Sequence, residues 1–73
     1  MKAQTVEIRF GIVAIDKGFI TCEQLIDALR IQVRGEIEQG EHKLIGTIFI
    51  EMGLLTRQQI DEIVKELLNR RES

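Results

Sequence analysis

The spacing of apolar residues predicts an all-α fold with about four helices. The clearest pattern lies near the end of the chain, where apolar residues recur at helical spacing: Ile60, Ile63, Val64, Leu67 and Leu68. Residues 44–52 show a similar pattern over a shorter stretch. A longer apolar stripe runs from Leu25 to Ile37, and it predicts a helix that continues through Gly35 and ends at Gly40.

The first helix is harder to predict, because residues 6–12 alternate between apolar and other residues, as a β-strand would. We predict a short helix over residues 9–17, and residues 5–8 could be extended. A strand within residues 5–15 therefore stays open as an alternative. Residues 1–4 are expected to fray, as chain termini commonly do.

Two similar units, residues 9–32 and 44–67, follow one another at a constant offset. The offset is 35 residues, since 46 − 11 = 35 for the first glycine pair. The identical pairs are Gly11 and Gly46, Ile15 and Ile50, Gly18 and Gly53, Thr21 and Thr56, and Gln24 and Gln59. A fixed period indicates one supersecondary unit built twice. We therefore predict a single domain over residues 1–73, made of two helix-turn-helix hairpins.

Each unit contains a helix stop and a helix start. Gly18 and Gly53 are placed to end a helix in the left-handed conformation. Three residues later a threonine precedes the next apolar stripe, and a glutamine follows it at the third helical position, which is the pattern of a capping box. The two predicted boxes are Thr21 with Gln24 and Thr56 with Gln59.

Composition and charge narrow the function. A chain of 73 residues with one cysteine and one histidine has neither an internal disulfide nor a zinc site to support its small core. We therefore expect a homo-oligomer. The net charge of −2, with both signs interspersed, disfavours nucleic-acid binding. The sequence has no apolar run for a membrane span and no signal-peptide pattern, so a cytoplasmic protein is predicted.

No motif for catalysis is evident, and we predict that the protein is not an enzyme. Cys22 opens a helix, where a thiol can be reactive, but a partly buried neutral thiol is the simpler interpretation. His42 lies in a polar turn and is interpreted as a solvated loop residue. Arg57, Gln58 and Gln59 would suit a DNA-reading helix, but acidic residues follow one turn later and the capping box already explains the second glutamine.

The repeated unit resembles one in the N-terminal domains of type II secretion and type IV pilus assembly ATPases. That unit reads roughly Arg-Leu-Gly-x-x-Leu-hydrophobic-x-x-Gly-Leu-Ile, followed by spaced leucines and a closing glutamine. The matching positions in the first unit are Arg9, Phe10, Gly11, Ile15, Gly18, Phe19, Ile20, Leu25, Leu29 and Gln32. In the second unit Leu44 stands in place of the arginine and Leu67 in place of the glutamine.

The resemblance implies two functions. One is a non-catalytic adaptor module that binds a partner protein or itself, as those N-terminal domains dock onto other machine components. The alternative is a sensor of cyclic di-GMP, the ligand that the MshEN branch of this family binds. For that alternative the resemblance implies a ligand site at Arg9, Phe10, Gly11, Gly18 and Gln32. No cofactor or metal is expected.

Overall fold

The computed structural model describes residues 2–71 and the side chains of residues 6–70. Its elements are four α-helices: α1 Lys2–Asp16, α2 Cys22–Gln39, α3 Ile45–Glu51 and α4 Arg57–Arg71. Residues 2–71 contain no strand. The prediction of an all-α fold with about four helices is confirmed.

Helix α1 is longer than predicted. It includes residues 5–8 and the whole stretch for which a strand was the alternative, so that alternative is wrong. It also includes residues 2–4, which were expected to fray, while Met1 lies outside the described residues. The alternation misled because α1 buries Glu7, a charged residue, together with Phe10 and Val13. The apolar residues Val6, Ile8 and Ile12 lie on its exposed faces.

The connections from α1 to α2 and from α3 to α4 have the same geometry. Gly18 and Gly53 have φ values of 78° and 76°, which side chains rarely adopt. In both turns the next amide reaches back to the preceding helix: Phe19 N–H donates to Ala14 O at 2.9 Å, and Leu54 N–H donates to Phe49 O at 2.9 Å. These bonds satisfy carbonyls that the helix end would leave without a donor.

Both predicted capping boxes are formed. In the first, the Gln24 N–H donates to the Thr21 hydroxyl at 3.1 Å, and the Thr21 N–H donates to the Gln24 side chain at 2.9 Å. In the second, Thr56 and Gln59 make the same two bonds at the same distances. Each box supplies acceptors to two amides at the start of a helix. The predicted end of α2 at Gly40 is also confirmed, with φ 66°.

The four helices share one core. The closest helix pairs are α1 with α4 and α2 with α3, so the two hairpins interlock, and α1 also contacts α3. At that contact the rings of Phe10 and Phe49 stack with centroids 6.3 Å apart. The buried apolar residues come from every helix and both glycine turns: Phe10, Val13, Ala14, Ile20, Leu25, Ala28, Ile45, Ile48, Phe49, Leu55 and Ile63.

Two glycines within helices have different surroundings. A methyl group at Gly11 would overlap the buried side chain of Leu25, so α1 can lie this close to α2 only without a Cβ there. At Gly46 the nearest side-chain atom, Ile60 Cδ1, would lie 3.5 Å from an added Cβ, an ordinary van der Waals contact. The first glycine is therefore required for packing, and the second is tolerant.

We expect Gly11→Ala to be less stable than Gly46→Ala. Both substitutions gain helix propensity, but only the first overpacks the core, which typically costs about 1–3 kcal/mol. Urea unfolding of both variants and the unsubstituted protein measures the difference. Equal free energies of unfolding for the two variants would show that α1 and α2 do not lie as close as described.

Candidate functional site

A buried carboxylate lies where α1, α2 and the start of α3 meet. Glu7 is only 6% exposed. Its Oε2 atom accepts a hydrogen bond from Gln32 Nε2 and another, at 3.1 Å, from the backbone N–H of Ile45. Burying a carboxylate is costly unless it is hydrogen-bonded, and here both donors come from elements distant in sequence.

Gln32 is also buried, at 3% exposure. Besides its bond to Glu7, its Nε2 group donates to the backbone carbonyl of Lys43 at 2.8 Å. The side-chain amide thus joins α1 and α2 to the loop that precedes α3. Both of these bonds are made within the chain, so the amide nitrogen of Gln32 serves the fold.

His42 closes the outer side of this cluster. Its Nε2 atom lies 3.4 Å from Glu7 Oε1, and its Nδ1 atom lies 3.2 Å from Glu36 Oε1. The side chain is 41% exposed. The interpretation of His42 as a merely solvated loop residue is therefore wrong, because the ring bridges two carboxylates and fastens the loop to α1 and α2.

The next residue anchors the same loop to α3. Lys43 Nζ lies 3.0 Å and 3.3 Å from the two carboxylate oxygens of Glu51. This hydrogen bond and the attraction of the carboxylate raise the pKa of Lys43 above its usual value. A separate exposed pair of contacts joins Arg70 to Glu66 and to Asp16, and both raise the pKa of the arginine.

The five residues predicted to hold cyclic di-GMP have separate roles in the structure. Phe10 and Gly11 belong to the core, Gly18 forms a turn, and Gln32 holds Glu7. Arg9 is exposed and forms no ion pair with the described side chains. The ligand site stays a prediction, and Arg9 is the member of this set whose charged group is free to bind it.

Sequence reasoning missed Glu7, the centre of the polar cluster. The available signal was a carboxylate three residues before a core phenylalanine and seven before a buried alanine, on the face of α1 that turns inward. Cys22 also differs from expectation. It is exposed, so the prediction of a partly buried thiol is wrong, because the first turn of α2 faces solvent there.

An apolar groove, which we call the groove, runs between α1, α3 and α4. Its first part has a volume of about 460 Å³, and Val6 and Val64 also line its second part, of about 340 Å³. Arg57 and Asp61 lie in the first part, and Arg9 lies in the second. Its most exposed apolar side chains are Val6 (59%), Leu44 (65%), Ile50 (39%), Val64 (42%) and Leu68 (54%).

The outer face of α2 carries a second apolar surface, which we call the α2 ridge. It consists of Ile26, Leu29, Val33 and Ile37, and the last is 78% exposed. Four charged side chains flank it in two exposed pairs, Asp27 with Arg30 and Arg34 with Glu38, each with its closest atoms 4.0 Å apart.

Comparison with known proteins adds no name to this geometry, since no family model, curated protein or solved structure matches the chain. None of the helices over residues 2–71 is both long enough and apolar enough to cross a membrane. The described side chains contain no group of three histidine, cysteine, aspartate or glutamate residues placed to hold a metal ion.

We expect Gln32→Leu to destabilise the protein by about 1.5–3 kcal/mol, because it removes the donor to a buried carboxylate. Leucine is the residue at the corresponding position of the second unit, so the change tests the polar contact at similar size. Thermal and urea unfolding measure the effect. Gln39→Leu, at an exposed position of the same helix, is the control and should change stability by less than about 0.5 kcal/mol. A Gln32→Leu protein as stable as this control would contradict the role given to the cluster.

Proposed function

We propose that the chain is a small, non-catalytic adaptor module that works by binding protein surfaces. The observation that carries this proposal is the groove, with five large apolar side chains each between 39% and 65% exposed. Contiguous apolar surface of this kind on a small domain is typical of protein–protein interfaces. A groove between helices is also the form that receives an amphipathic helix from a partner.

The independence of the groove from the core supports the proposal. The hydrophobic core is formed by a different set of side chains, which includes all of the most deeply buried ones. Val64 and Leu68 lie on α4 but on its exposed side, whereas Ile63 on the same helix is fully buried. Apolar residues on the exposed side are not needed to hold α4 in place, so a binding role accounts for them.

The relationship to secretion and pilus ATPase N-terminal domains belongs to the same proposal. It is supported by the two glycine turns and two capping boxes, whose hydrogen bonds recur 35 residues apart (53 − 18 = 35). We propose that the chain consists of two copies of one helix-turn-helix unit. Docking onto another protein, as those domains do, then requires only an exposed helix surface.

Cyclic di-GMP remains the alternative ligand, and Arg9 is the observation in its favour. An exposed arginine beside apolar side chains can pair with a phosphate or stack on a guanine. The protein-binding function has more support, because Gln32, the other polar residue of the predicted nucleotide site, is buried and bonded within the chain.

A pull-down from the native cells tests the proposal. We expect Val64→Asp to lose the proteins that the unsubstituted module retains, by at least about tenfold, because a carboxylate in an apolar interface must be desolvated. Gln58→Asp places the same charge at another exposed position of α4 and should leave retention unchanged. Added cyclic di-GMP should have no effect.

The two possible contradictions are specific. Equal retention by both variants would show that the groove does not bind proteins. Retention that depends on the nucleotide and is lost in Arg9→Ala would favour the sensor function. Circular dichroism on each variant shows whether the four helices are intact.

A further inference from the structure

We propose that the groove receives the α2 ridge of a second copy of this chain, so that copies join head to tail. This inference rests on the proposed function, because it names the protein that occupies the groove. It uses two surfaces that lie on different parts of the molecule, since no residue of α2 lines the groove.

The two surfaces match in shape. The α2 ridge is a single row of apolar side chains on an exposed helix, extending from Ile26 to Ile37. At 1.5 Å per residue this row is about 16 Å long, which is three turns of helix. The groove is concave and bounded by three helices, with apolar side chains along its length. A helix can therefore enter it without any change in either fold.

The charges also match. The α2 ridge is flanked in order by Asp27, Arg30, Arg34 and Glu38, so basic residues are central and acidic residues are outside. The groove has the opposite arrangement. Arg57 and Asp61 line its first part and Arg9 its second, so a carboxylate lies between two guanidinium groups.

The charged groups of both surfaces are available for such a contact. Arg9, Arg57 and Asp61 form no ion pair with the described side chains. The pairs along the α2 ridge are long, at 4.0 Å, and the four side chains are 59–78% exposed. Exposed pairs of this kind contribute little to stability, so they can exchange partners at small cost.

The same charges disfavour pairing of two α2 ridges. The order acidic, basic, basic, acidic reads the same in both directions. Two antiparallel ridges aligned on their centres would therefore place Asp27 opposite Glu38 and Arg30 opposite Arg34. Like charges that face each other across an interface are repulsive. The α2 ridge is thus better suited to the groove than to a second α2 ridge.

A contact between two different surfaces leaves one of each unoccupied at the ends of a pair. Such heterologous contacts continue into rings or open chains. The assembly state should therefore grow with concentration unless a ring closes.

Two single variants, alone and mixed, test this arrangement. Ile37→Asp places a charge on the α2 ridge and leaves the groove intact, whereas Val64→Asp does the reverse. Each variant alone should be monomeric by sedimentation and light scattering, at concentrations where the unsubstituted chain assembles. An equimolar mixture should form a 1:1 dimer and stop there, because one intact ridge and one intact groove remain. Association of each variant with itself should be weakened by at least about tenfold.

Matched controls and three outcomes decide the inference. Gln39→Asp and Gln58→Asp add the same charge at exposed positions of α2 and α4 and should assemble like the unsubstituted chain. A monomeric unsubstituted chain at high concentration would overturn the inference, as would a monomeric mixture or a self-associating Val64→Asp protein. If the chain is monomeric but Val64→Asp still loses partners in the pull-down, the proposed function holds and only this occupant is wrong.

Discussion

The buried carboxylate of Glu7 is the interaction on which the rest of the structure depends. Helix α3 has seven residues, and the residue before it, Leu44, offers no side chain to cap it. The first amides of a helix need acceptors from outside the helix, and Glu7 supplies one from α1. Since Gln32 binds the same carboxylate from α2, one side chain fixes the positions of three helices. The location of α3 in turn forms one wall of the groove.

Local features of the fold could be predicted from the sequence, and long-range ones could not. The glycine turns and capping boxes depend on residues three to five positions apart, so their pattern is visible in the chain. The bonds of Glu7 reach 25 and 38 residues along the sequence. No periodicity reveals such partners, and the burial of a charge inverted the pattern of α1. Gln32 was assigned to a ligand because the family resemblance names it, whereas packing gives it a partner within the chain.

The two units share a framework but differ in what they bury. At the offset of 35 residues, Gln32 corresponds to Leu67 and Glu7 corresponds to His42. The polar residues of the first unit hold the loop before α3, while Leu67 lines the second part of the groove. Polar contacts thus secure the fold on one side of the molecule. On the other side, apolar residues at corresponding positions are left for binding.

Amide hydrogen exchange at Ile45 tests the central role of Glu7 most directly. An amide in the first turn of a short helix ordinarily exchanges rapidly, but this one donates to a buried carboxylate. The Arg57 amide, also the first of its helix, is the internal reference, because the structure gives it no acceptor. We predict that the Ile45 amide exchanges at least about a hundredfold more slowly than the Arg57 amide, after correction for intrinsic rates. Equal corrected rates would contradict the account.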